Sequence, residues 1–331
     1  MSHIQIKAVD IYHPQKSVNN EFYFDHFKKQ GKEIEHFIVD IMGRNNRYVI
    51  DHPNENSLTM AIEASKKVIK KANLQVEDID MIIFSTQTPE YTFPSSAMLL
   101  HKELGAHNKT IAYDSNSNCA GMTVAVEQLS RYMQANPRIK YGLVVGSDHN
   151  TVHCDPNCEI TYANYGDASA AVILERVEEP AGFIDARYTS ETSGCRNILA
   201  PAVGTSKLFK DNLSQEDLYI KWIPFDGSVV VEPAVDDMQD LLTEHGLTLN
   251  DINAFCLSQF SIKNIEMIQQ KLEVDKEKFI YVGDEFGYTG TSSPFIALYK
   301  GIESGKIKRG DHVLFWTVGT GWQIISMLFK Y

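Results

Sequence analysis

Cys119 lies in the run Ser117-Asn118-Cys119-Ala120-Gly121-Met122, behind an apolar stretch, Thr110 to Tyr113, and ahead of a segment of helical period, Met122 to Met133. That order puts its sulfur at a helix N-terminus, where unpaired N–H groups and the positive end of the dipole favour thiolate over thiol. The chemistry this permits is nucleophilic catalysis, activated without an adjacent base. A buried cysteine also serves as a small apolar residue, so the rest of the chain decides. His149, His153, Cys154 and Cys158 offer four metal-capable side chains within ten residues. The paired cysteine spacing of zinc sites is missing, so no metal is expected. Gly287, Gly290, Gly319 and Gly321 sit in turns that lack both the Lys-Ser/Thr ending of a phosphate loop and the spacing of a dinucleotide site. No nucleotide cofactor is expected.

The elements that must position Cys119 occur twice. Leu74 to Gln87, LQVEDIDMIIFSTQ, superposes without a gap on Leu247 to Phe260, LTLNDINAFCLSQF, at an offset of 173. Each reads as a helix end, an acidic turn and a buried strand. The stretch from Cys119 through Arg138-Ile139-Lys140-Tyr141-Gly142 to the strand Leu143-Val144-Val145 is echoed by Thr291 to Ser304, Lys306 to Gly310 and the strand Val313-Leu314-Phe315. Two echoes in one order ask for two similar α/β units on a shared core, 1–175 and 176–331, joined where Pro180 and Gly182 interrupt regular structure.

The chain has 331 residues, 43% hydrophobic and 22% charged, the balance of a globular protein with a large core. A net charge of −12 argues against nonspecific binding to nucleic acid or to anionic membranes. No apolar run approaches a membrane span and no signal peptide is visible, so a cytoplasmic location is expected. Five cysteines fit free thiols better than a disulfide framework.

A duplicated α/β chain with a helix-capping cysteine resembles the thiolase superfamily, and the words Thr92-Phe93-Pro94-Ser95-Ser96-Ala97, Asn118-Cys119-Ala120-Gly121, Val144-Val145-Gly146-Ser147-Asp148, Cys154-Asp155-Pro156, Tyr165-Gly166-Asp167-Ala168 and Gly319-Thr320-Gly321 resemble its ketoacyl synthase III branch. The resemblance implies an α/β thiolase-like fold, with βαβαβαββ halves in five α/β/α/β/α layers, and a homodimer whose partner helps close the acyl pocket. It also implies acyl transfer through a Cys119 thioester, from coenzyme A or an acyl carrier protein, with Lys263 at a carrier-docking position. The Trp and Arg that relatives use around the coenzyme A adenine have no clear counterpart near Gly43-Arg44-Asn45-Asn46-Arg47 or at Val152, which favours a carrier-protein donor.

In the register that the resemblance implies, the family's active-site His and Asn are changed. Ser258 stands in the histidine's place and Tyr288 in the asparagine's. Decarboxylative condensation needs strong donors on an enolate oxygen, and each hydroxyl is a poorer donor that cannot act as a base near pH 7. Acylation of the thiol needs only the thiolate and an oxyanion hole, expected from the Cys119 N–H and the backbone near Thr320. The expectation is an acyltransferase without normal decarboxylative condensation. The alternatives are an orthodox 3-oxoacyl synthase III and a catalytically silent partner subunit.

Overall fold

The computed structural model describes residues 3–210 and 212–331. The first sheet has the order β1-β7-β6-β4-β5, formed by β1 (His3–Tyr12), β4 (Met81–Ser85), β5 (Ile111–Ser115), β6 (Tyr141–Asp148) and β7 (Ala168–Val177). All five residues of β4 are buried, as expected of an interior strand running parallel to both neighbours. The second sheet, in the order β11-β12-β13-β8, comprises β8 (Gly182–Ser190), β11 (Ile252–Leu257), β12 (His312–Gly319) and β13 (Gln323–Lys330). Two short pairs flank the sheets: β2 (Ser17–Asn19) with β3 (Asn46–Tyr48), and β9 (Ile198–Leu199) with β10 (Lys221–Trp222).

The layers follow from which helix faces are apolar. On the outer face of the first sheet, α2 (Ser57–Lys71) and α3 (Ser96–Leu104) bury Ala61, Ala64, Val68, Ala97 and Leu100 against Ile82, Phe84 and Val145. Between the sheets, α4 (Gly121–Ala135) and α9 (Ser293–Glu303) join Val126 and Leu129 to Phe295 and Leu298 in one core. On the far face, α6 (Val231–Glu244) and α7 (Ile262–Leu272) cover Phe255, Leu257 and Leu314. The result is the expected five-layered α/β/α/β/α thiolase-like arrangement. Three short helices complete it, α1 (Asn20–Lys28), α5 (Glu159–Tyr162) and α8 (Gly283–Phe286).

The internal echo is a structural one. The turns Val76–Asp78 and Leu249–Asp251 are closed alike, the Gln75 N–H donating to Asp78 at 2.8 Å and the Thr248 N–H to Asp251 at 2.7 Å. The repeat is nevertheless incomplete. The first half follows βαβαβαββ, but the second lacks its third strand, where only an isolated Phe255–Phe279 bridge forms. The side chain of Gln259 takes over that pairing. Its Oε1 accepts the N–H groups of Val282 (2.8 Å) and Gly283 (3.2 Å), while its Nε2 donates to the carbonyls of Leu257 (2.8 Å) and Ile280 (3.2 Å). A boundary after residue 175 lies two residues inside β7, and the connection between the sheets is 178–181. Among the described residues no helix is long and apolar enough to cross a membrane.

Candidate active site

Cys119 follows β5 and directly precedes α4, in a tight turn in which the Ala120 N–H donates to Ser117 O (3.1 Å) and the Gly121 N–H to Asn118 O (2.9 Å). Asn118 holds φ at 51°, a left-handed conformation that asparagine tolerates. The sulfur is therefore at the helix start, as expected. Its charge state is not as expected. Burial pushes the thiol up to about 12, with the Tyr288 hydroxyl acting to lower it and the Asp148 carboxylate to raise it. One of the helix N–H groups that would attract a thiolate is already used, because the Met122 N–H donates to Thr291 Oγ1 at 2.7 Å. At 7% exposure, desolvation outweighs the helix end and the resting residue is a thiol.

Tyr288 is brought to the sulfur by its backbone. Its N–H donates to Asn164 O (2.9 Å), and its carbonyl accepts the Gly166 N–H (3.0 Å), clamping it beside Tyr165. Residue 166 must be glycine because an added Cβ would collide with the Phe286 carbonyl. The Tyr288 hydroxyl acts to lower the pKa of the Cys119 thiol, and Ser258 acts in the same direction on Tyr288. Ser258 follows β11 and is 4% exposed, and among the described residues its Oγ has no hydrogen-bond partner. Thr320 sits in the three-residue turn between β12 and β13, its carbonyl facing Asn118 Nδ2 at 3.4 Å.

Cys119, Ser258, Tyr288 and Thr320 thus line one cavity, walled by Trp222, Phe225, Phe260, Trp316 and Trp322. Lys263 is not in it. The lysine borders an adjoining groove that shares Trp222, Phe225 and Phe260 with the cavity, and it is paired with Glu266 at 3.4 Å. Of the metal-capable cluster, Cys154 is buried and donates to the carbonyls of Asn150 and Thr161.

The structure adds residues that sequence reasoning passed over. Arg44 is fully buried and donates to Asn164 Oδ1, the Tyr281 hydroxyl, and the carbonyls of Gln259 and Phe260. It ties the first half to the segment that follows Ser258. Gln87 places its Oε1 3.9 Å from the sulfur, and its N–H donates to Asp148 at 2.9 Å. Two arginines within four residues were the available signal for the first; Gln87 left none.

The chain has known relatives in sequence and in fold. The model described as 3-oxoacyl-[acyl-carrier-protein] synthase III matches residues 113–192, and that of the C-terminal part of the same synthase matches residues 242–331. The beta-ketoacyl-[acyl-carrier-protein] synthase III of Coxiella burnetii is 29% identical over 321 residues, 97% of each chain, and that of Clostridium perfringens is 28% identical over 325 residues, again 97% of each. The 3-oxoacyl-[acyl-carrier-protein] synthase III of Aquifex aeolicus has a similar structure, with a TM-score of 0.84 at 26% identity, covering 99% of this chain and 100% of that one. Matches to both halves, near full-length relatives and a shared fold show that this chain belongs to the 3-oxoacyl-[acyl-carrier-protein] synthase III family of acyltransferases in the thiolase superfamily.

Proposed function

We propose that this member of the family forms an acyl thioester on Cys119 and hands the acyl group to an acceptor other than a malonyl carbanion. The observation that carries the reading is the pair of hydroxyls, Ser258 and Tyr288, on the second-half wall of a cavity that no histidine lines among the described residues. Attack by the sulfur on a thioester carbonyl forms the new C–S bond. The oxyanion is taken by the Cys119 N–H and the backbone at Thr320, and collapse expels the donor thiol with the proton. Tyr288, which acts to lower the thiol's pKa, steadies the thiolate as it develops. Decarboxylation is another matter. Each missing oxyanion donor costs about 3 to 4 kcal/mol in well-studied cases, and neither hydroxyl replaces an imidazole.

The relatives are named for acyl carrier protein, which supports a carrier or coenzyme A thioester as donor. The groove beside Lys263 is the approach we assign to the carrier arm, although Glu266 already compensates the lysine. Exposed Tyr91, Phe93 and Met98, with the edge strand β5, support a homodimer. The halves 1–175 and 176–331 are read as one cooperative body in the cytoplasm.

Intact mass after incubation with acyl thioesters tests the transfer. An adduct is expected on the native protein and none on Cys119→Ala. If no adduct ever forms, or the variant carries one too, the reading fails, and a silent partner subunit takes its place. Condensation of malonyl carrier protein at ordinary rates would overturn the roles given to Ser258 and Tyr288.

A further inference from the structure

Beside the cavity that holds Cys119 lies a second one, of about 160 Å³, which shares Tyr165, Ile198 and Thr320 with it. The two differ in chemistry. The first is walled by aromatic rings and continues toward Lys263, whereas the second is lined by the amides of Gln87, Asn116, Asn118 and Asn150, with Thr88 and His153. Gln87 joins them, since its Oε1 is 3.9 Å from the Cys119 sulfur.

The amides are held in fixed orientations. Gln87 Nε2 donates to Asn150 Oδ1 (3.0 Å), Asn150 Nδ2 to the Gly166 carbonyl (3.3 Å), and Asn118 Nδ2 to the Thr320 carbonyl (3.4 Å). Asn116 Oδ1 accepts the Asn118 N–H at 2.8 Å. Among the described residues, that leaves Asn116 Nδ2 as a donor and Asn118 Oδ1 as an acceptor without a protein partner. Among the described residues no lysine, arginine, aspartate or glutamate lines the space. His153 is pushed down by burial and presents a neutral ring at pH 7. An alkyl chain placed here would strip water from several amides and return no hydrogen bond, while a carboxylate or ammonium would find no counter-charge. A neutral group with hydroxyl or amide functions satisfies both demands.

Given the thioester chemistry proposed above, on which this rests, we infer that the acyl group carried by Cys119 is short, uncharged and polar, a hydroxyacyl or amide-bearing acyl group seated in the amide-lined cavity. In loading, the acyl carbon bonds to the Cys119 sulfur as its bond to the donor thiol breaks, and the cysteine's proton leaves on that thiol.

The test compares pantetheine thioesters of butyric acid and 3-hydroxybutyric acid. Intact mass gives kcat/KM for loading of Cys119, and calorimetry gives their affinities for Cys119→Ala. The hydroxylated thioester is expected to be favoured about tenfold in both, the size of one net hydrogen bond. Asn116→Leu should erase most of that preference while still loading butyrate. If both thioesters load and butyrate equals or exceeds hydroxybutyrate, the polar-acyl inference falls and the acyltransferase reading stands. If neither loads but Cys119→Ala still binds the hydroxylated thioester tenfold tighter, the inference about the cavity stands and the transfer reading falls. No loading and no preference sinks both.

Discussion

At the residue scale the decisive competition is between a helix end and burial. A helix N-terminus is worth about 0.3 to 1 kcal/mol to an anion, rising to about 2 in partly buried settings, whereas full desolvation moves a pKa by several units. Cys119 follows the larger effect, at about 12. Because iodoacetamide reacts with the thiolate and not the thiol, it should label exposed Cys195 before Cys119 at pH 8. The Cys119 rate should climb about tenfold per pH unit and show no plateau below pH 10, as peptide mapping would reveal. The sign follows from the raised pKa: the thiolate fraction keeps growing with pH long after an ordinary thiol is fully ionised. Tyr288→Phe removes the hydroxyl that lowers the thiol's pKa and should slow labelling about threefold to tenfold at fixed pH. Faster labelling of that variant would show that the hydroxyl shields the sulfur and does not support it. The loaded form needs no low resting pKa, because the proton departs with the donor thiol during exchange.

At the element scale, the second half carries its site on a side chain that imitates a strand. Gln259 satisfies two N–H groups and two carbonyls in a region where a third strand would have paired. Gln259→Leu, close in volume, leaves all four unpaired in the interior. At about 1 kcal/mol or more for each buried group left without a partner, the loss of stability should be about 3 to 5 kcal/mol, read from the urea midpoint. A loss below about 1 kcal/mol would mean that water replaces the carboxamide. The helix α4 depends on the other half in a similar way, since the Thr291 hydroxyl takes the Met122 N–H and contacts Ser85 Oγ at 3.1 Å.

At the scale of the whole molecule, the two sheets share one core through α4 and α9, and Arg44 binds carbonyls across the halves. Trp222, Trp316 and Trp322 all lie in the second half, so tryptophan fluorescence reports that half alone while far-UV circular dichroism reports both. Urea unfolding should give coincident transitions by the two probes. A first transition silent to fluorescence would separate the halves. Arg44→Met should lower stability by about 3 to 5 kcal/mol, since it strands the acceptors that the guanidinium now satisfies. Legible from the chain alone were the duplication and the cysteine at the start of a helix, because period and turn chemistry are local; the five layers and the places of Ser258 and Tyr288 were implied by short words that resemble the family. The missing third strand was not legible, since Gln259 acts on residues more than twenty positions away. Nor were the thiol's protonation, the burial of Arg44, or the amide-lined cavity beside Cys119. Desolvation and cavity walls are sums over groups from distant segments, and only the folded chain brings Gln87, Asn116 and Asn150 around one space.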